Sequence, residues 1–523
     1  MLKDTSTLPD DPLELKEIII KLQDHYEKEN NLLREQVRLL YAKLFGKKSE
    51  KGGPDPTGAQ LPLFDMPEPE VEPEKEEIEV PAHTREKSGR KKLPEALPRI
   101  EVVHDISAEE KVCACGGAMS RIGEDISEKL DIIPAVIQVI RHIRPKYTCR
   151  HCEGLETEGA VVKIAPAPKQ IIEKGIATAG LLAHILTGKF VDALPFYRQE
   201  RQFSRLGVDI PRATMCNWAM KAAEACRPLL ARMKEQIRSG PLINIDETTV
   251  QVLAEPGRSP TTDSYMWIFR GGPPEKPALI YQYETGRGGK IASSFLQEYK
   301  GVVQTDGYAG YDFLDVKTGV VHVGCWAHAR RKFIDAQKGS GKGSRTGSAD
   351  VALSYIRKIY EVEHEGKKDK CTAEQMRTLR QGKAKPILDD FFKWLSKKSL
   401  QVVPQSLLGK AVSYTLNQWG RLEAYLEYGE ATPDNNAAEN AIRPFVVGRK
   451  NWLFAGSPKG AEASAGLYSL IETAKANGLE PYKYLRYLFE QLPFAETDDE
   501  YEKLLPSNLS EADLALSQVA TGV

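Results

Sequence analysis

No stretch of the 523-residue chain approaches the roughly 18 uninterrupted apolar residues that a membrane-spanning helix requires. The opening MLKDTSTLPDDPLELKE lacks the basic segment and apolar core of a secretory signal, so no export is expected. Cysteine is scarce. Eight residues do not make a disulfide framework at this length, and a reducing, cytoplasmic compartment is expected. Net charge is nearly absent, with 72 Lys+Arg against 73 Asp+Glu, so any polyanion must be met by local patches. Hydrophobic residues at 41% and charged residues at 28% exclude full-length disorder, and the length suggests about three domains.

The charge is segregated by segment. Residues 68–79 hold seven Glu and one Lys, in a Pro/Glu alternation that cannot build a core and is expected to stay extended. Residues 85–99 hold six Lys/Arg and two Glu; Arg90, Lys91 and Lys92 make this either a DNA-contacting arm or a solvated linker. Before both, Leu15, Ile19, Leu22, Tyr26, Leu33, Val37, Leu40 and Leu44 recur at helical spacing over 13–46. Mostly three- and four-residue steps describe a coiled-coil seam for self-association, or an amphipathic helix packed on its own domain.

From 164 to 238 the pattern is helical. Residues 205–226 have the shape of a helix-turn-helix, which an ordinary helical hairpin shares, with Gly207 at the turn and Thr214, Asn217 and Lys221 outward. At 241 the period changes to short β-rich runs: PLINIDETTVQVL, YMWIFRG, PALIYQYE, GVVQTDG and GVVHVGCW, with a helical stretch before the fourth. Three strands, a helix, then strands is the order of a ribonuclease-H-like α/β core. A helical block then runs to about 430, and further helices close the chain, Gly478 being a plausible helix cap.

Two constellations carry chemistry. Cys113 and Cys115 in CACGG, and Cys149 and Cys152 in CRHC, form two close pairs separated by 33 residues. Thiolates in such pairs suit one structural zinc ion; His151 is an alternative ligand, and unrelated free thiols are the plain alternative. The second constellation is acidic: Asp246 within a β-rich run, Asp306 just past another, and Glu439 in a short helix expected to begin near Asp434 and close before Pro444. Two carboxylates from strand ends and one from a helix can gather two hard cations, Mg²⁺ or Mn²⁺, over a phosphodiester. Composition alone does not select these three from the other acids.

A resemblance does. The blocks KLFGKKSEK, GRKKLP, CACGG, RIGEDISEKLDIIPAVIQVIRHIRPKYTCRHC, NIDET, QTDGYAGY, CWAHARRKF and PDNNAAENAIRPFVVGRKNWLF resemble, in order and over almost the whole chain, the insertion-sequence 66 family of bacterial DDE transposases. That likeness implies a ribonuclease-H-like catalytic domain with Asp246, Asp306 and Glu439 as its metal-binding triad, a helical insertion before Glu439, and an N-terminal zinc finger. It implies DNA as partner, a homo-oligomer, small accessory proteins of the same element, and nucleoid association. The expected division is 1–48 coiled-coil helix, 49–100 linker and arm, 101–163 zinc finger and 164–238 helical DNA-binding region. A catalytic core at 239–335 and 431–458 follows, interrupted by the insertion at 336–430 and closed by helices at 459–523. The competing reading is a catalytically silent DNA-binding protein derived from a transposase.

Around the acids, Cys325 and His328 form a CxxH pair; two ligands do not complete a zinc site, so a supporting role is expected. Arg330, Arg331, Arg443, Arg449 and Lys450 are candidate DNA contacts. Arg443 is also one helical turn from Glu439, where an ion pair would serve equally.

Overall fold

The computed structural model describes residues 11–45, 137–148, 162–340 and 347–519. The chain divides into two compact units, residues 63–165 and the remainder. In the smaller unit β1 (Lys146–Thr148) pairs antiparallel with β2 (Val162–Ile164), and the Arg144 guanidinium donates to the Ala165 carbonyl at 3.0 Å. Cys113, Cys115, Cys149 and Cys152, and the arm residues Arg90, Lys91 and Lys92, lie outside the described residues.

The larger unit begins with α1 (Pro12–Phe45), none of whose residues is buried. Most of the expected seam is open: Leu22, Leu33, Val37, Leu40 and Leu44 are all exposed. Its partly covered residues near the C-terminal end are Leu32, Glu35, Leu39 and Ala42. There Glu35 accepts from the Leu407 N–H at 3.3 Å, and Lys43 pairs with Asp335 at 3.2 Å.

Four helices follow: α2 (Ala179–Phe190), α3 (Phe196–Arg205), α4 (Arg212–Ala225) and α5 (Arg227–Ser239). Gly207, at φ +79°, turns the chain between α3 and α4, a left-handed conformation that favours glycine. Asn217 and Lys221 are exposed on α4 while Met215, Trp218 and Ala222 face the core.

The sheet consists of β3 (Leu242–Val252), β4 (Asp263–Gly271), β5 (Ala278–Glu284), β6 (Gly301–Gln304) and β7 (Val320–Val323), in the order β5-β4-β3-β6-β7. The first three strands are antiparallel and the last two run parallel to β3. A short β8 (Phe454–Ala455) joins the far end of β3 in parallel. Met266, Trp267, Ile268 and Phe269 of β4 are all fully buried, so the sheet is covered on both faces. Between β5 and β6 lies α6 (Lys290–Leu296).

Beyond β7 the chain builds a separate helical core from α7 (Trp326–Gly339), α8 (Ser348–Lys368), α9 (Ala373–Leu379), α10 (Lys385–Ser399), α11 (Leu407–Asn417) and α12 (Trp419–Glu423). Trp326, Phe333, Ile356, Phe391 and Tyr425 fill it. A wide π-helical turn, Arg380–Ala384, joins α9 to α10 and carries Arg380 inward.

The chain then returns to the sheet as α13 (Asn436–Trp452), followed by α14 (Pro458–Ala476) and α15 (Pro481–Gln491). The expected stop before Pro444 is wrong: α13 continues for two more turns. Pro444 has no N–H for the carbonyl four residues earlier, but tertiary contacts offset the loss. The Tyr281 hydroxyl donates to the Ala441 carbonyl, and Ala438, Ile442 and Phe445 are buried in the first core. On α14, Ser469 and Thr473 accept the N–H groups of Tyr281 and Leu279 at 2.8 and 2.9 Å, closing the free edge of β5. Gly478 ends this helix at φ +77°, as the sequence led one to expect. Among the described residues, no helix is long and apolar enough to cross a membrane.

Candidate active site

The site lies along β3 where its parallel neighbour β6 ends. β3 and β6 pair with a constant offset, Leu242 with Val302 and Asn244 with Gln304. Two residues beyond the last of these pairs stand Asp246, still within β3, and Asp306, in the loop after β6. Asp306 turns back on its own loop, its carboxylate accepting the Tyr308 N–H at 3.0 Å. Gly307 beside it is required for a reason other than backbone twist. A Cβ there would sit 2.3 Å from the Tyr414 hydroxyl, so glycine admits that ring against the loop.

Glu439 arrives from α13, in its first turn. What brings the helix start to the strands is a buried amide cluster absent from the expected site. The Asn244 side chain donates to the Gln304 and Asn435 side-chain oxygens at 3.0 and 3.1 Å. Asn435 donates in turn to the Ile245 carbonyl at 2.8 Å, and Gln304 to the Thr432 carbonyl at 2.6 Å. Each residue cross-links two elements, and all three are at most 1% exposed. Their only sequence signal is polarity at positions flanked by buried residues.

The acids feel one another. Burial holds the Asp246 carboxyl well above the usual carboxylate range; Glu247, Glu439 and Asp306 add to the rise, and the Glu247 N–H, donating at 2.9 Å, opposes it. Two other acids, Asp434 at the start of α13 and Glu472 on α14, are engaged elsewhere. Asp434 accepts the Asn436 N–H at 3.1 Å, as expected of a residue at the helix start, and Glu472 pairs with Lys475 at 2.9 Å. Glu247 is a further acid that sequence reasoning passed over. On the opposite face of β3 from Asp246, it pairs with Arg287 at 2.5 Å and accepts the Tyr311 hydroxyl, while Arg287 lies 3.8 Å from the Tyr308 ring centroid.

Cys325 and His328 approach the site from α7, and the structure supplies the third partner that their sequence pairing lacked. Ligand atoms of Cys325, His328 and Glu439 all lie within 4.8 Å of one another. The His328 Nδ1 and Glu439 Oε1 atoms are 3.9 Å apart, both buried, with no hydrogen-bond partner among the described residues. Burial and then Arg331 lower the His328 pKa, against the pull of Glu439 and Asp306.

The basic candidates divide. Arg331 is exposed beside His328, and Arg330 is half-buried, its charge felt by Tyr360. Arg443 is half-buried and makes no ion pair with Glu439 among the described residues. Arg449 points into the fold, donating to the Thr248 and Thr249 hydroxyls, each at 3.2 Å, and so docks α13 on β3. Lys450 is exposed. Trp452 packs against Phe445, ring centroids 5.5 Å apart.

Residues 174–463, more than half of the chain, match the family described as "Transposase IS66 family". The chain belongs to the IS66 transposase family. Residues 110–153 match the "zinc-finger binding domain of transposase IS66", and 469–507 the "IS66 C-terminal element". Residues 32–102 match "Transposase C of IS166 homeodomain". Two similar proteins of Sinorhizobium fredii, the uncharacterized proteins y4jD and y4qI, are 36% and 35% identical over 433 and 431 residues. The alignments cover 80% of this chain in both cases, and 81% and 77% of those proteins. Membership makes the chain a transposase of several domains, with a zinc finger, a mixed α/β sheet and DNA as its partner. Asp246, Asp306, Glu439, Cys325 and His328 all fall inside the 174–463 match.

Proposed function

We propose that this transposase binds insertion-sequence ends and catalyses strand cleavage and strand transfer through Asp246, Asp306 and Glu439. The observation that carries the reading is the crowding of acids there: burial raises Asp246 most, and Glu247, Glu439 and Asp306 add to the rise. Like charges crowded beside β3, with no salt bridge from Asp246 or Asp306 to a basic side chain among the described residues, suit divalent cations; the buried Glu439 Oε1, without a hydrogen-bond partner among those residues, fits the same demand. The strand order, with two strands parallel to the central one and the antiparallel pair on its other side, supports a ribonuclease-H-like catalytic core. Two Mg²⁺ ions held by these carboxylates would activate the attacking oxygen and stabilise the leaving one.

The chain's own part is positional. The amide cluster of Asn244, Gln304 and Asn435 fixes the carboxylates relative to one another without adding charge. Arg331 and Lys450, both exposed, would hold the DNA strand by its phosphates. In the first step water attacks the phosphorus at the element end, and the P–O3′ bond breaks to free a 3′-hydroxyl. In the second step that hydroxyl attacks a target phosphodiester; a new P–O bond forms as the target's own P–O3′ bond breaks. Both are in-line substitutions, so one set of carboxylates serves both.

Purified Glu439→Gln protein should keep its fold and its DNA affinity yet lose both reactions. The assay uses a labelled element end and a target plasmid, with Mg²⁺ and with chelator. Wild-type cleavage by folded Glu439→Gln protein would remove Glu439 from the site, and loss in Asp434→Asn would redirect the assignment.

A further inference from the structure

Beside the carboxylate cluster lies a second set of donors of different chemical character. Cys325 is 1% exposed and stands at the start of α7. Its sulfur accepts the Asn435 N–H at 3.2 Å, while burial pushes the thiol pKa up to about 12, so a bound cation has to displace its proton. One turn along α7, the His328 ring turns Nδ1 towards Glu439 Oε1 across 3.9 Å, both atoms buried and without a hydrogen-bond partner among the described residues. That distance is too long for a hydrogen bond, and it suits two ligands of one ion. Thiolate, imidazole and carboxylate together are a set for a borderline cation; magnesium takes oxygen ligands instead.

We propose that Cys325, His328 and Glu439 bind one Zn²⁺ ion, and that zinc there competes with catalysis by drawing Glu439 away from Asp246 and Asp306. Three protein ligands leave one tetrahedral position open, as in zinc sites that exchange a ligand. The site is separate from the cysteine pairs near the N-terminus, because none of its three ligands belongs to residues 110–153. The binding claim stands on the geometry alone; the competition claim rests on the function proposed above.

The test uses the full chain. Wild type, Cys325→Ser and His328→Gln are saturated with Zn²⁺, desalted, and analysed for metal per chain, with circular dichroism as the fold control. With one zinc in the finger, wild type should hold about two ions and each variant about one. Equal zinc in all three proteins overturns the site, whether or not any of them cleaves DNA. The second arm adds Zn²⁺ at fixed Mg²⁺ and follows cleavage relative to each protein's own zinc-free rate. About tenfold more zinc should be needed to halve that rate in Cys325→Ser, on the scale of losing one supporting ligand. Identical zinc curves, with the stoichiometry difference intact, overturn the competition and leave the site standing.

Discussion

The two hydrophobic cores of the larger unit are fastened by different means. In the sheet core, the elements bearing Asp246, Asp306 and Glu439 are cross-linked by neutral amides, Asn244, Gln304 and Asn435. In the helical core the fastener is charged. Arg380, 1% exposed, forks onto Glu363 at 2.7 and 2.8 Å and also donates to the carbonyls of Tyr425, Tyr428 and Ala431. A further charge among the acids would shift their protonation, whereas amides fix positions and leave the field alone. Away from the site a charge is tolerated because its partner and three carbonyls satisfy it. The cores meet at the candidate site: α7, which carries Cys325 and His328, is anchored by Trp326 and Phe333 in the second core, and α13 by Ala438 and Phe445 in the first.

The largest test of this contrast is Arg380→Met. It strands a buried Glu363 and should cost about 3–5 kcal/mol. Adding Glu363→Leu should restore most of the loss, since neither charge is then left alone. Urea unfolding of the single and double variants reads this directly, and a double variant no more stable than the single would show that the carbonyl contacts matter more than the pair.

Asn435→Ala tests the other core. It leaves the Asn244 amide short of an acceptor, and a loss of about 1–3 kcal/mol is expected. Because the amide also sets the start of α13, cleavage should fall by about 10–100-fold, in the range of outer-shell partners of metal ligands. Stability loss with unimpaired cleavage would mean that α13 is located by its apolar face alone.

Asp246 gives a pH signature. With its pKa raised in the folded chain, its contribution to stability is full at low pH and is lost as pH rises from the ordinary value of 3.8 through the raised one. Metal-free Asp246→Asn should therefore melt higher than wild type at neutral pH, by about 2–4 °C for each kcal/mol relieved. Added Mg²⁺ should stabilise wild type and leave the variant almost unmoved. A scan in which the variant melts lower in chelator contradicts the crowding of negative charge.

The smallest effect on either core should come from removing residues 1–45. None of the α1 residues is buried, so the melting temperature should change little. Leu22, Leu33, Val37, Leu40 and Leu44 are exposed along it, and their loss should lower the mass seen by light scattering if this face joins two copies. An unchanged mass moves self-association elsewhere.

The succession of strands and helices along the chain was legible in the sequence because each element rests on local chemistry. Period-two apolar runs, a glycine at Gly207 and a cap at Gly478 act within a few residues of themselves. The resemblance supplied Asp246, Asp306 and Glu439, which no local rule separates from other acids. Three things waited on the tertiary structure. Helix α13 runs through Pro444 because packing against Tyr281 and the first core outweighs a lost hydrogen bond. Asn244, Gln304 and Asn435 matter only once three distant segments meet, since a polar side chain gains its value from the partner it finds when buried. Cys325 and His328 looked two ligands short of a zinc site, and Glu439, more than a hundred residues further along, is within reach of them only in the fold. Local propensity is written residue by residue, but a site is a set of distances between segments, and the packing of the two cores determines those distances.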